Sequence, residues 1–429
     1  MRKFNIAMLS GQAPDEVIIV SQESHGHFVE DALARASQHY NGACEIQQAI
    51  QNTDDVALEA LEEHSALKQS LARGGTEPVA MEALQRAVKR FEKRTGVAYK
   101  TKYLAVESFE ARDSRLQSTK VAMEATMEYV RKLLKMLSDA ITGVWGKIKS
   151  YFDELMIGAE RLVKRATKLQ ADLEKVKDKQ VAEDNVITYP SVLEFTRKDN
   201  KVVEGEDFVK EYSQHVKSSI SHRSADSDFV KNWIAKNKYQ EILEESRNEG
   251  ATEKLLGLIV SDQGPSSEDS KGGLHEVQIK GELLGDFVIS ETLIAKNSTW
   301  EELSKNYNKI SNKIEKPTST EGLTVKSAIV LTPEQSESIL ANAIELMGSF
   351  KALREQIQLI DSEVKRIASE TKLLDDNKLA PADQLMVASG YVRTHANAMM
   401  DKLATQRGYD VNLTKAALDY VAASIDQLS

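Results

Sequence analysis

The residues nearest to a chemical constellation are His25 and His27, which flank Gly26 and stand close to Glu23 and Glu30. Two imidazoles and two carboxylates can hold a divalent metal if the fold brings them to one point. A solvated surface loop accounts better for the same four residues, so no metal site is expected. The single cysteine, Cys44, has no basic or histidine neighbour in sequence to stabilise a thiolate. It reads as a small buried residue rather than a nucleophile. One cysteine can form neither an intramolecular disulfide nor a cysteine-rich zinc site, which fits a reducing compartment. Ser, His and Asp all occur, but no Gly-x-Ser-x-Gly elbow presents a serine. Gly264, Gly272 and Gly273 lie in a polar loop without the strand-loop-helix setting or the Gly-Lys-Ser/Thr ending of a phosphate cradle. The sequence therefore nominates no catalytic residue, no cofactor and no small-molecule substrate, and we expect a protein that is not an enzyme.

What the chain offers instead is elements that must bury themselves. Apolar residues recur at three- and four-residue steps through Val130, Leu134, Leu137, Ile141, Val144 and Ile148. After a step to Phe152 they resume at Leu155, Ala159, Leu162, Ala166, Leu169, Leu173 and Val176. This is the seam of a long amphipathic helix with one stutter. Over residues 130–176 it would be roughly 70 Å long, and a helix of that kind needs a partner surface. Within it, Val144-Trp145-Gly146-Lys147-Ile148-Lys149-Ser150-Tyr151-Phe152 mixes aromatics with lysines. A membrane-surface helix looks like this. The seam continues through the stretch, so packing with solvated lysines is the better reading.

The 429 residues suffice for two or three domains, and 41% hydrophobic with 28% charged residues can bury a core. Few prolines and aromatics favour helix. The net charge of −10 argues against general nucleic-acid coating. Charge is uneven. Residues 1–84 carry 5 Lys/Arg against 13 Asp/Glu, whereas residues 118–182 carry 13 against 9. Two solvated faces of unlike charge explain this; the sharper reading is an acidic leader that masks or guides a basic helix until it is removed. The first nine residues are too short and too interrupted for a secretory signal, and no stretch approaches 18 uncharged apolar residues.

Taken in order, Val17-Ile18-Ile19-Val20 suggests a strand or buried edge, and helices are predicted over 28–40 and 54–71. Gly74-Gly75 should stop the second, Pro78 should open a third that reaches Arg94, and Gly96 should close it. Residues 96–119 read as a linker. Further on, 192–196 reads as a strand turning at Asp199-Asn200-Lys201, with helices over 207–219 and 226–248 and a flexible loop over 261–273. Strands are predicted at 277–280 and 287–289, a helix over 299–314, and a last strand near 324–331. Thr332-Pro333-Glu334-Gln335 starts a helix with a capping box. That helix should reach about Leu374. Another begins near Pro381, is interrupted at Gly408-Tyr409-Asp410, and gives way to a last one over 414–428. The expected fold is mainly α with a smaller α+β segment, its long amphipathic helix packed in a helical bundle. The expected divisions are 1–107, an acidic helical leader; 108–185, the long helix; 186–331, α+β; and 332–429, a C-terminal helical hairpin or bundle.

Several short stretches occur in a telling order: Glu77-Pro78-Val79-Ala80-Met81-Glu82-Ala83-Leu84, Arg94-Thr95-Gly96-Val97, Ala105-Val106-Glu107-Ser108-Phe109-Glu110, Ser118-Thr119-Lys120-Val121-Ala122-Met123-Glu124 and Trp145-Gly146-Lys147-Ile148-Lys149. Over about the first 180 residues this order resembles the internal head (inner-body) proteins of phiKZ-like giant tailed bacteriophages. The resemblance implies a structural virion protein in the capsid interior, present in the host cytoplasm during assembly. It also implies an N-terminal propeptide removed by the prohead protease after a small-x-Glu motif, and a mature part that stays with the DNA or is ejected with it. Ala105-Val106-Glu107 fits the motif and lies in the expected linker, which places the cut before Ser108. Glu23, Glu59, Glu82 and Glu124 end matching tripeptides too. The implied partners are the prohead protease and other capsid-interior proteins, with weak contact to packaged DNA and no membrane. Removing residues 1–107, which carry 12 Lys/Arg and 15 Asp/Glu, would leave the remainder still negative. That weakens a DNA-condensing role. The alternatives are a long-helix, pore-forming-like membrane-acting protein and a coiled-coil adaptor.

Overall fold

The computed structural model describes residues 25–99, 112–179, 186–199, 201–235, 238–248, 250–260, 272–280, 282–316, 325–374 and 382–428. The run at Val17–Val20 and most of the 261–273 loop lie outside them.

The first helix, α1 (His25–Ala72), is continuous where the sequence predicts two helices. The residues taken for a break are used in packing. Gly42 faces the Lys147 side chain, and the buried Thr53 hydroxyl donates to the Ala49 carbonyl at 2.8 Å. Gly74 and Gly75, both at positive φ, end it. α2 (Pro78–Thr95) opens on its proline and closes where Gly96, at φ +72°, donates its N–H to the Glu92 carbonyl.

α3 (Arg112–Leu173) is 62 residues long, about 93 Å at 1.5 Å per residue. The seam is buried through Val130, Leu137, Ile141, Val144, Ile148, Phe152, Leu155, Ala159, Leu162, Ala166, Leu173 and Val176, with Leu134 and Leu169 partly so. The helix begins earlier than the apolar pattern announces, and part of the expected linker is helical. Its first turns are fixed by polar contacts rather than by a hydrophobic stripe. The Thr76 N–H donates to Thr119 Oγ1 at 2.8 Å, and Tyr99 and Thr126 share a hydroxyl hydrogen bond at 2.7 Å. Trp145 is buried and donates its indole N–H to Asp361 at 2.6 Å, while Lys147 and Lys149 face out. The aromatic stretch is a packed one. α1 runs antiparallel to α3: Arg35 meets Glu154 at 2.9 Å, Gly42 meets Lys147, and His64 meets the Met123 carbonyl.

The middle of the chain is built of short elements. β1 (Val186–Ile187) is followed by α4 (Pro190–Phe195), where the sequence suggests a strand. Pro190 starts a helical turn that buries Val192 and Phe195 at the required three-residue spacing. β2 (Arg197–Lys198) and β3 (Lys201–Val202) form a tight hairpin at the predicted turn, with Asp199 at φ +51°. Then come α5 (Gly205–Ala235), α6 (Lys238–Glu245) and α7 (Thr252–Val260), the last unforeseen. β4 (Leu274–Ile279), β5 (Val288–Ile294), α8 (Trp300–Asn306) and β6 (Ser311–Glu315) follow. They build an antiparallel sheet in the order β4-β5-β6. The helix predicted over 299–314 stops at Asn306, because Ser311–Glu315 pairs with β5 instead. Thr299 and Glu302 supply its capping box. β7 (Ala328–Ile329) pairs antiparallel with the distant β1.

Thr332 and Gln335 complete the expected capping box of α9 (Pro333–Gly348), which kinks through a 3-10 turn into α10 (Leu353–Leu374). The last helix, α11 (Ala382–Leu428), is unbroken at Gly408-Tyr409-Asp410. Gly408 is there because the Tyr151 hydroxyl occupies the space a Cβ would need, and Gly390 makes the same room for the Tyr307 ring. Residues 384–394 of α11 are buried on every face, so this part of the helix lies in the interior. It runs parallel to α3 (Tyr151 to Ala404, Arg165 to Asp419) and antiparallel to α1 (Asp54 to Arg393, Glu30 to Lys415). One apolar cluster includes residues from α1, α3, α5, α9, α10 and α11 together. The fold is mainly α, with the long helix packed in a bundle and a small α+β segment beside it. Among the described residues no helix is long and apolar enough to cross a membrane.

Candidate functional site

The sequence-nominated processing residues Ala105, Val106, Glu107 and Ser108 lie outside the described residues. Their flanks are well fixed. On one side the Tyr99 N–H donates to Glu92 Oε1 at 2.7 Å and its ring hydroxyl pairs with Thr126. On the other side α3 starts at Arg112, fourteen residues and hence roughly 20 Å up the helix from Thr126. Of the other matching glutamates, Glu59 sits within α1, Glu82 within α2 and Glu124 within α3. Their tripeptides include the buried Ala57, Met81 and Ala122.

The buried polar groups gather along α11, and the sequence reading missed them. In the first group Arg393 donates to Asp54 of α1 at 2.6 Å, both side chains about 1% exposed. Burial pushes the Asp54 carboxyl up, and the Arg393 charge opposes that rise. The Tyr307 ring, admitted by Gly390, lies beside them, and burial raises its hydroxyl well above the ordinary value. In the second group Asp410 accepts three hydrogen bonds. They come from Ser219 at 2.8 Å, from Arg407 at 3.1 Å, and across 2.8 Å from His215. The His215 ring stands edge-on to Tyr409, 5.2 Å between centroids. Serine, histidine and aspartate thus meet, but Ser219 donates to the aspartate rather than to the histidine. Both Ser219 and Asp410 are buried, and the arrangement is a clamp joining α5 to α11. The signal that could have located it is Arg407 and Asp410 one helical turn apart on one helix.

A third group lies on the α1 side. Gln47 donates to Asp401 at 3.2 Å, with Tyr40, Cys44 and Lys313 close by. Cys44 is half-buried, and burial, with Asp401 adding to it, pushes its thiol up. Asp401 itself is pushed up to about 6 by burial, against the Gln47 hydrogen bond and Lys313. A carboxyl raised in the folded state binds its proton there more tightly than in the unfolded chain. Its contribution is therefore most favourable below pH 4 and is lost as pH rises from about 4 through about 6. Asp401→Asn should gain roughly 2 kcal/mol relative to the native chain across that window, after allowance for partial solvent access. Paired thermal melts at pH 4 and pH 7 check this; a pH-independent difference would contradict it.

His25 and His27 open α1, with side chains outside those described. Among the described residues no group of three or more metal-ligating side chains converges. The buried polar pairs join helices from both ends of the chain around α11. A family model described as phiKZ-like phage internal head proteins matches residues 30–423. The match extends beyond the first 180 residues, across the α+β segment and the C-terminal helices. No curated protein and no solved structure matches.

Proposed function

The chain belongs to the phiKZ-like phage internal head proteins, and from that premise we propose that it is a structural filler of the capsid interior matured by the prohead protease. The cut falls between Glu107 and Ser108, and the mature protein leaves the head with the DNA at infection. Before maturation the chain assembles in the host cytoplasm beside other capsid-interior proteins. The observation that carries the processing step is positional. Glu59, Glu82 and Glu124 lie in helices, whereas Glu107 falls in the sequence between α2 and α3. A protease needs several residues drawn out in extended form, which a packed helix yields only by unfolding.

The mature protein's contact with DNA is weak in this reading. The whole chain carries −10, and phosphate neutralisation is the main source of non-specific affinity. Peptide mapping of purified particles tests the proposal. We expect a peptide beginning at Ser108 with a free amine, and none that spans Glu107 to Ser108. Intact spanning peptides at full yield would remove the processing step. Recovery of the protein in emptied heads at the same level as in full ones would remove the ejection step.

A further inference from the structure

We propose that this cut does not release the N-terminal piece: residues 25–99 stay seated on residues 112–428, and the mature protein is a nicked, two-chain particle. The inference rests on the processing reading above, but its warrant is in the described fold.

A propeptide that leaves should touch the remainder lightly. This one does not. α1 lies antiparallel along both α3 and α11, and it supplies Val29, Ala36, Ala43, Ile46 and Ile50 to the cluster that holds the α3 seam. Farther along, Val56, Ala57, Ala60 and Leu61 of α1 join Met81, Leu84, Val88 and Phe91 of α2. Together they pack against Ala122, Tyr129, Val130 and Leu133 of α3 and Met386 of α11. Interfaces with this apolar, fully buried character are those of permanent subunits.

Polar contacts fix the register along the whole length. Asp54 pairs with the buried Arg393. Gln51 donates to the Asn308 carbonyl at 2.9 Å, and Asn308 donates to Asp55 at 2.7 Å. Thr95 and Tyr129 share a hydroxyl hydrogen bond at 2.8 Å. Departure of α1 and α2 would bare the seam of α3 and strip the buried Arg393 of its carboxylate partner. Cutting one peptide bond removes the tether but none of these contacts. The leader is thus a component of the core, and its negative charge stays with the particle after processing. The expectation that an acidic leader is shed to uncover a basic helix is replaced by one in which maturation frees only the chain ends on either side of the cut.

The test uses the full chain with a site for a sequence-specific protease placed within residues 103–110. After complete cleavage, judged on a denaturing gel, the protein is passed through a sizing column with mass detection. The expected result is one species of the uncut mass with both pieces in equal molar amounts, separating only in denaturant. Its unfolding midpoint should become concentration-dependent, as an intramolecular contact turned bimolecular requires. Elution of the C-terminal piece alone, or its precipitation as the leader elutes separately, would overturn the inference. Chain-end analysis of native particles decides the processing reading independently. A failure to find Ser108 there and a failure of the pieces to stay together here are different results.

Discussion

Arg393→Met should lower the stability of the folded chain by about 3–5 kcal/mol. The loss does not measure the strength of the Arg393–Asp54 pair. It reflects what remains behind: an Asp54 carboxylate fully inside the bundle with its cation gone. Asp54 is already pushed up by burial in the native chain. Without Arg393 it rises further, and the group takes a proton to escape the cost. The deficit of the variant should therefore shrink on acidification, since a folded-state carboxyl raised above its unfolded value is favoured at low pH. The double variant Asp54→Leu with Arg393→Met should recover most of the loss, because a buried ion pair replaced by apolar groups is often neutral or stabilising. Urea melts of the two variants beside the native chain read all of this. Equal deficits in the single and the double variant would show that the cost comes from lost side-chain volume instead.

Asp410→Ala should be of similar size, about 3–5 kcal/mol, and more local in its consequences. It takes one acceptor away from Ser219, Arg407 and His215 together. Two of the three donors lie on α5, so the effect should concentrate where α5 meets α11. Hydrogen exchange should accelerate in residues 205–221 and 405–414 while α1 and α2 keep their protection. Asp410→Asn retains the shape and part of the hydrogen bonding and should cost about half as much. Uniform loss of protection over all the helices would contradict the assignment of a local clamp.

How much of this was legible in the sequence depends on contrast. The α3 seam could be read because its apolar positions recur at three- and four-residue steps among many charged ones, and the stutter at Phe152 passes through the same continuous helix. Gly74-Gly75, Gly96 and the capping box at Thr332 were legible because their chemistry is local. α11 was misplaced for the opposite reason. Its first part is buried on all faces and has no polar side to set a period, and Gly408 looks like a break until Tyr151 is seen to need the space. α1 was divided at 41–53, where its polar residues hide a continuous helix whose buried Ala43, Ile46 and Ile50 keep the helical spacing. The strand reading of 192–196 failed because β-branched and aromatic residues over five positions fit a helical turn as well, and Pro190 decides the matter. The buried pairs Asp54–Arg393 and His215–Asp410 join residues far apart in the chain, a distance no local pattern bridges.

The central claim is that the capsid-interior protein is cut between α2 and α3 and remains one body. The most direct measurement is on protein extracted from purified particles: intact mass and N-terminal sequence under denaturing conditions, and native mass of the same sample. The account predicts two chains in denaturant, one of them beginning at Ser108, and a single species containing both when native. A single chain beginning at Met1 in mature particles would contradict it.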